Sequence, residues 1–381
     1  MRLIVNQARA ILSCMLVLYL LILGFALALM PRPDRQGVVD TQTAAATIFM
    51  TEPKYLYLDR APLGVDRTNI ILVGGSNVGV GFPLADLDPL LRSDAAIHNL
   101  GLGGANVTEL QQVIDLVYEA QSEKVRRRDI FVIGIWYGLF GVNRLRWYTT
   151  DRVAGDTDLD IERYRYGFER RTQDGPIDVV PLAYRNSAVV AIYPLLFLDE
   201  LSRTALRWIS PSHALSAQDL NAYIPTEREK DQYLKYWSTM MGPVGPSIYD
   251  EQFAVLDKIC ARILSEGSRL VLVDLPLPRW HKEGSPYQAM YEIRAQQLVG
   301  RLSDKPGFSF LDMGDLDDDA DFYDEVHPKP RVTAVWTNRM TTALSPLLPP
   351  HTPSVPHPLK EDSHISSISR AALPVAGDEG R

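Results

Sequence analysis

Apolar and polar positions follow three different patterns along this chain. From Ala10 to Pro31 there is no charged residue, and the stretch "ILSCMLVLYLLILGFALALM" is apolar on every side. Twenty such residues in a helix reach about 30 Å, the thickness of a bilayer core. A cleavable leader has a shorter apolar region and a small-residue cleavage site, so a membrane-spanning helix is expected over residues 1–31. Cys14 lies inside the run and not after it, which argues against a lipoprotein cleavage motif. Basic residues flank both ends nearly equally, with Arg2 and Arg9 before the run and Arg32 and Arg35 after it. The usual single-anchor arrangement then puts the large C-terminal part outside the cytoplasm, with the helix in the inner (cytoplasmic) membrane.

The second pattern is a series of short apolar runs that end in glycine or a polar residue. These are "TNIILVGG", "AAIHNLGLGG", "RDIFVIGIWYG", "SRLVLVDLPLP" and "GFSFLDMGD". Runs this short and continuous read as strands buried on both faces, the mark of a parallel sheet. Between them "VTELQQVIDLVYEAQSEKV" places Leu110, Val113, Ile114 and Val117 on one helical face. Strand and helix in alternation predict βαβ units. The expected fold is three-layer α/β/α with about five parallel strands, near residues 70, 97, 132, 271 and 309.

The third pattern is irregular. Residues 144–268 contain no clear strand and many aromatics, among them Trp147, Tyr193, Trp208, Tyr233 and Trp237. The stretch is too long for a loop and reads as a mostly helical insertion, with "YPLLFLDELSRTALRWI" as one helix. Its aromatics suit a core, or a groove for carbohydrate or lipid. The expected organisation is therefore anchor 1–31, linker 32–66, α/β domain 67–345 with insertion 144–268, and a proline-rich disordered tail 346–381.

Composition excludes more than it assigns. Apolar residues make up 46% and charged residues 23%, ordinary globular values. A net charge of −8 argues against a nucleic-acid partner. The two cysteines, Cys14 and Cys260, form no CxxC pair, so neither a disulfide framework nor a zinc site is suggested. The carboxylates of "DMGDLDDDADFYDE" lack the spacing of a calcium loop. No metal and no cofactor is expected.

Chemistry centres on "IILVGGSNVGVGF", residues 70–82. A P-loop would need lysine where Val80 stands, a dinucleotide fingerprint lacks its third glycine, and Val78 breaks the GxSxG elbow. What remains is Ser76 at the C-terminal end of the first strand, the sheet edge where α/β proteins bind ligands. Alone, a helix-capping serine is the simpler reading. Far along the chain stands "FYDEVHPKP". Asp324 and His327 sit three apart, a spacing at which a carboxylate can hold one imidazole nitrogen and leave the other for a serine.

Ser76, the glycines of "NLGLGGAN" and the D-x-x-H-P of Asp324, His327 and Pro328 together resemble the SGNH (GDSL-type) hydrolase and acyltransferase superfamily. The resemblance covers roughly residues 68–143 and 268–340, and implies a flavodoxin-like fold. It implies Ser76 as nucleophile, His327 as base and Asp324 as its orienting carboxylate. An oxyanion hole would come from Ser76 and the second-block glycine, best matched by Gly103, with Gly101 and Gly104 close by. Two departures stand out. Gly75 replaces the first-block aspartate. The third-block asparagine falls at about Tyr137 or Gly138, and Asn143 comes some five residues late; the third donor is then absent, or replaced by Tyr137 or Asn106. The anchor and insertion are similar to the envelope-polysaccharide-modifying branches. These imply an O-acyl transferase or esterase acting on an acylated glycan, with an acyl donor and a membrane acyltransferase as partners. The alternative is a weak or inactive accessory subunit of such a system. For Arg279 and His281, after the fourth strand, a place on the site rim is the less favoured reading; His98 is expected in the core or at a strand edge.

Overall fold

The computed structural model describes residues 2–29, 61–64, 66–91, 95–141, 164, 167–172, 175–181, 184, 188, 190–195, 197–198, 201–202, 217–242 and 246–348. In chain order these form α1 (Arg2–Leu29), β1 (Asn69–Gly74), α2 (Ser76–Gly81), α3 (Leu84–Leu91), β2 (Ala96–Gly101), α4 (Val107–Ala120), α5 (Glu123–Arg126) and β3 (Ile130–Ile135). There follow β4 (Glu169–Thr172), β5 (Gly175–Asp178), α6 (Ala217–Ala222), α7 (Glu227–Met241), α8 (Pro246–Ser265) and β6 (Arg269–Asp274). The chain closes with α9 (Arg279–Gly284), α10 (Gln288–Leu302), β7 (Phe308–Asp312) and α11 (Thr333–Leu344). Asn143, the greater part of the 32–66 linker and the tail beyond 348 lie outside the described residues.

Five strands pair in parallel in the order β2-β1-β3-β6-β7. This is the 2-1-3-4-5 order of the flavodoxin-like fold. All five expected strands are present. β1 and β3, at the centre, are buried along their whole length, which is why they read as unbroken apolar runs. Helices cover both faces. On α4 the predicted stripe of Leu110, Val113, Ile114 and Val117 is fully buried, and Asn106 starts the helix through a capping box with Glu109.

One expectation is corrected. The stretch between Asn143 and Arg269 does contain strands, the antiparallel pair β4 and β5. Each has four residues, and "ERRT" and "GPID" carry charge and proline in place of an apolar alternation. The last helix of that stretch, α8, buries Phe253, Leu256, Ile259, Cys260 and Ile263 in the main core. It is the crossover that brings the chain from β3 to β6.

The described part of α1 includes a 25-residue apolar span, Ile4–Ala28, with a mean hydropathy of 2.7. It is long and apolar enough to cross a membrane.

Candidate active site

In a 2-1-3-4-5 sheet the strand connections diverge between β1 and β3, and a crevice opens at their C-terminal ends. Ser76 follows β1 there, as the first residue of α2. The glycines around it serve close packing. A Cβ on Gly74 would meet Val78 Cγ2 at 2.3 Å, and one on Gly81 would meet the Trp336 ring at 2.6 Å. They let the short helix lie against the strand and against α11. Asn99 fixes the other end of α2. Its side-chain amide donates to the carbonyls of Phe82 at 2.8 Å and Val78 at 3.2 Å, and its Oδ1 accepts from the Gly101 amide at 3.1 Å.

The loop after β7 supplies the other two residues. Asp324 uses both oxygens. Oδ1 accepts from the amides of Val326 at 2.9 Å and His327 at 2.8 Å. Oδ2 accepts from His327 Nδ1 at 2.7 Å. This double use explains the D-x-x-H spacing: one oxygen folds the turn while the other receives the ring. With Nδ1 donating, neutral His327 presents Nε2 as an acceptor, 2.7 Å from Ser76 Oγ. The structure thus brings Ser76, Asp324 and His327 into one hydrogen-bonded line across 251 residues of sequence. Tyr323 stacks on the imidazole with ring centroids 5.5 Å apart and planes 10° apart. Burial resists charge on His327, but the hydrogen bond and charge of Asp324 outweigh it, and the pKa is raised above 6.5.

Behind this line lies a second, buried one. Glu325 is 8% exposed and accepts from Trp237 Nε1 at 3.2 Å. Burial, then the charge of Asp324, pushes its carboxyl up to about 7. The Glu325 carbonyl accepts from His281 Nδ1 at 2.6 Å. A carbonyl only accepts, so His281 carries its proton on Nδ1, and Nε2 accepts from the Tyr137 hydroxyl. Burial lowers the His281 pKa to about 4, which keeps the ring neutral.

This arrangement decides two readings that the sequence leaves open. The Tyr137 hydroxyl is not an oxyanion donor: the residue is fully buried and its hydroxyl is spent on His281. His281 is not on the rim but completely buried beneath it. Arg279 is at the surface, where it pairs with Asp317 at 3.1 Å. His98 faces Asn69, its Nε2 3.3 Å from Oδ1, near the opposite end of the sheet from Ser76. The carboxylates of the acidic stretch are drawn into ion pairs and caps: Asp315 with Arg339, Asp317 with Lys282, Asp321 with Arg331, and Asp318 capping a turn.

Of the second-block glycines, Gly101 is a packing residue. A Cβ there would stand 2.6 Å from the Gly79 amide nitrogen. Gly103 faces open space, and Gly104 takes a positive φ of 64°. Gly104, Ala105 and Asn106 form one wall of a cavity of about 60 Å³; Gly138, Gly141, Trp237 and Met240 form the other. Asn106 Oδ1 accepts from the Glu109 amide, so its NH₂ group points away from that cap.

Sequence reasoning missed Asn99, Trp237, Glu325 and Tyr323. Asn99 did carry a signal, as a polar residue late in a buried strand. The others read as ordinary core or loop residues.

No family model and no curated protein matches this chain. Solved structures do. A Bacteroides fragilis protein assigned as an acylhydrolase is 9% identical, with a TM-score of 0.35, over 84% of this chain and 92% of its own. An alpha/beta hydrolase enzyme from the metagenome of Lake Arreo is 11% identical, with a TM-score of 0.35, over 74% and 96%. A catalytic mutant of an acetylxylan esterase from Geobacillus stearothermophilus is 11% identical, with a TM-score of 0.34, over 74% and 94%. Likenesses this distant carry no argument about the reaction.

Proposed function

We propose that this chain is a serine esterase or O-acyl transferase of the SGNH type. The observation that carries the reading is the continuous hydrogen-bonded line from Ser76 Oγ through His327 to Asp324, at 2.7 Å for each link. Ser76 Oγ attacks the carbonyl carbon of an acyl ester while its proton passes to His327 Nε2. Asp324 holds the tautomer and balances the imidazolium that forms. The tetrahedral oxyanion is met by the Ser76 amide, the Gly103–Gly104 backbone and the Asn106 NH₂ group. His327 returns the proton to the leaving alcohol oxygen, and the acyl group remains on Ser76. A water or a glycan hydroxyl then attacks the acyl-serine, gives its proton to His327 and restores the serine. Water makes the reaction hydrolysis; a sugar hydroxyl makes it transfer.

The acyl group is short. The cavity of about 60 Å³ is lined by Gly104, Ala105 and Asn106, and to the first and last of these this reading gives the oxyanion. At about 10–15 Å³ for each water-sized group, that space admits an acetyl and little more than a butyryl chain. Tyr236, which lines the cavity, is 45% exposed, and Tyr233, on the same helix, lies near Trp280 with centroids 6.4 Å apart. Aromatic faces of this kind suit the apolar faces of sugar rings, and an acylated cell-envelope or exported glycan is the substrate this reading assigns. In it, α1 anchors the protein in the inner membrane with the α/β part outside the cytoplasm, where a membrane acyltransferase is a natural source of the acyl group.

One observation favours a second reading, a weak or inactive accessory subunit: the interior Tyr137 hydroxyl leaves the third-block donor unfilled from that position. Turnover decides between them. Wild type should hydrolyse a chromogenic acetate ester faster than a long-chain ester, and Ser76→Ala should lose that activity. Equal rates for wild type and Ser76→Ala would sink the enzyme reading.

A further inference from the structure

We infer that the described residues from Val190 to Leu201 lie in the outer part of the lipid bilayer beside α1 and set the height of the α/β part above the membrane. This rests on the membrane-spanning reading of α1 given above. The contacts are specific. The Tyr19 hydroxyl donates to the Ala191 carbonyl at 2.5 Å. Phe25 meets Phe197 edge to face, with centroids 5.5 Å apart and planes at 77°. Ala26 is fully buried in an apolar cluster with Phe168 and Tyr193, separate from the main core.

Depth follows from helix geometry. The Ile4–Ala28 span is about 37 Å long at 1.5 Å per residue, against about 30 Å of hydrocarbon. Tyr19 lies nine residues, about 13 Å, before Ala28. Even if the whole surplus of about 7 Å projects on this side, Tyr19 remains about 6 Å inside the hydrocarbon. Ala191 is held to it by a hydrogen bond, so the short turn Val190–Ile192 is carried to the same depth. Irregular backbone at that depth needs its polar groups satisfied by protein, and Tyr19 supplies a donor to the Ala191 carbonyl.

The surface of the segment fits lipid. Leu195, Leu198 and Leu201 are 62%, 43% and 52% exposed and recur every third residue in the sequence. No charged residue occurs from Asn186 to Leu198, and Asp199 and Glu200 follow directly. An uncharged sequence whose described residues pack on a membrane helix fits an interfacial element.

The test places a nitroxide label on Leu198→Cys in the full chain, with Cys14→Ser as background since Cys260 is buried. The protein is reconstituted into vesicles of phosphatidylcholine and phosphatidylglycerol. Val335→Cys, on the exposed side of α11, is the water-facing reference; Val335 is 52% exposed. The expected result is that oxygen reaches the label at 198 better than a water-soluble nickel chelate does, with the order reversed at 335. A label at 198 that favours the nickel chelate, in protein that floats with the vesicles, overturns the inference and leaves the anchor intact. Exclusion of both reagents means a protein occupant and overturns it too. Protein that fails to float overturns the membrane reading and this inference with it.

Discussion

His281 donates through Nδ1 to the carbonyl of Glu325 at 2.6 Å, and so ties helix α9 to the backbone between Asp324 and His327. With Tyr137 donating to the same ring, the turn after β3 braces the loop that carries the base. Tyr137 thus acts from behind the site and not within it.

Tyr137→Phe separates these roles. Removing the hydroxyl leaves His281 Nε2 without a partner in a buried place, at a cost of about 1–3 kcal/mol. Thermal unfolding should shift downward accordingly, while kcat falls by about tenfold or less with KM unchanged. A loss of about 10²–10³ in kcat would mark the hydroxyl as an oxyanion donor.

Asn106 can be dissected by two variants. Asn106→Asp keeps an oxygen for the Glu109 amide but removes the NH₂ donor; Asn106→Ser also keeps the cap. Both should unfold near the wild-type temperature, and both should lose about 10²–10³ in kcat. Wild-type kcat in Asn106→Asp would show that the residue is a cap and nothing more.

The pH profile carries the signature of His327. The base works when neutral, and its pKa lies above 6.5, so kcat/KM should rise as pH increases through that raised value. The charge of Glu325 is one of the causes holding it up. Glu325→Gln keeps an acceptor for Trp237 and removes the charge. The acidic limb should then move to lower pH, by on the order of one unit or less. Stability should change in a related window. The buried Glu325 carboxyl titrates at about 7 against an ordinary 4.5, so the folded state holds the extra proton between those values. The Glu325 contribution to stability therefore falls as pH rises from about 4.5 to 7; Glu325→Gln should make the slope shallower in melts across the range, with Asp129 and Asp274, which burial also raises to about 7, supplying the rest.

The second-block glycines should differ sharply. Gly101→Ala puts a Cβ against the backbone of Gly79 and Gly75. It should unfold several degrees lower and lose most of its activity through displacement of α2. Gly103→Ala meets nothing within 4 Å and should fold like wild type. A stable, fully active Gly101→Ala would contradict the packing assigned to α2.

Much of this architecture can be read directly from sequence for identifiable reasons. The five strands stand out because burial on both faces demands unbroken apolar runs such as Ile70–Val73 and Ile130–Ile133. Asp324 and His327 stand out because their contact is local, made within one turn. The approach of Ser76 to them depends on topology, and the C-terminal strand edge gave enough of it to place all three together. The hairpin β4–β5 was hidden by its brevity and charge. The Tyr137–His281 pair was hidden by 144 residues of separation and because a tyrosine after a buried strand reads as core. Asn99 looked like any polar residue at a strand end, since its role lies in the carbonyls of α2 that folding brings to it.

The most direct test of the central claim is covalent. The full-length protein in detergent or vesicles is treated with a fluorophosphonate probe, and the labelled peptide is identified by mass spectrometry. The account predicts a single adduct on Ser76, lost in Ser76→Ala and strongly slowed in His327→Ala. Folded protein that takes up no probe, or labelling that persists in Ser76→Ala, would contradict it.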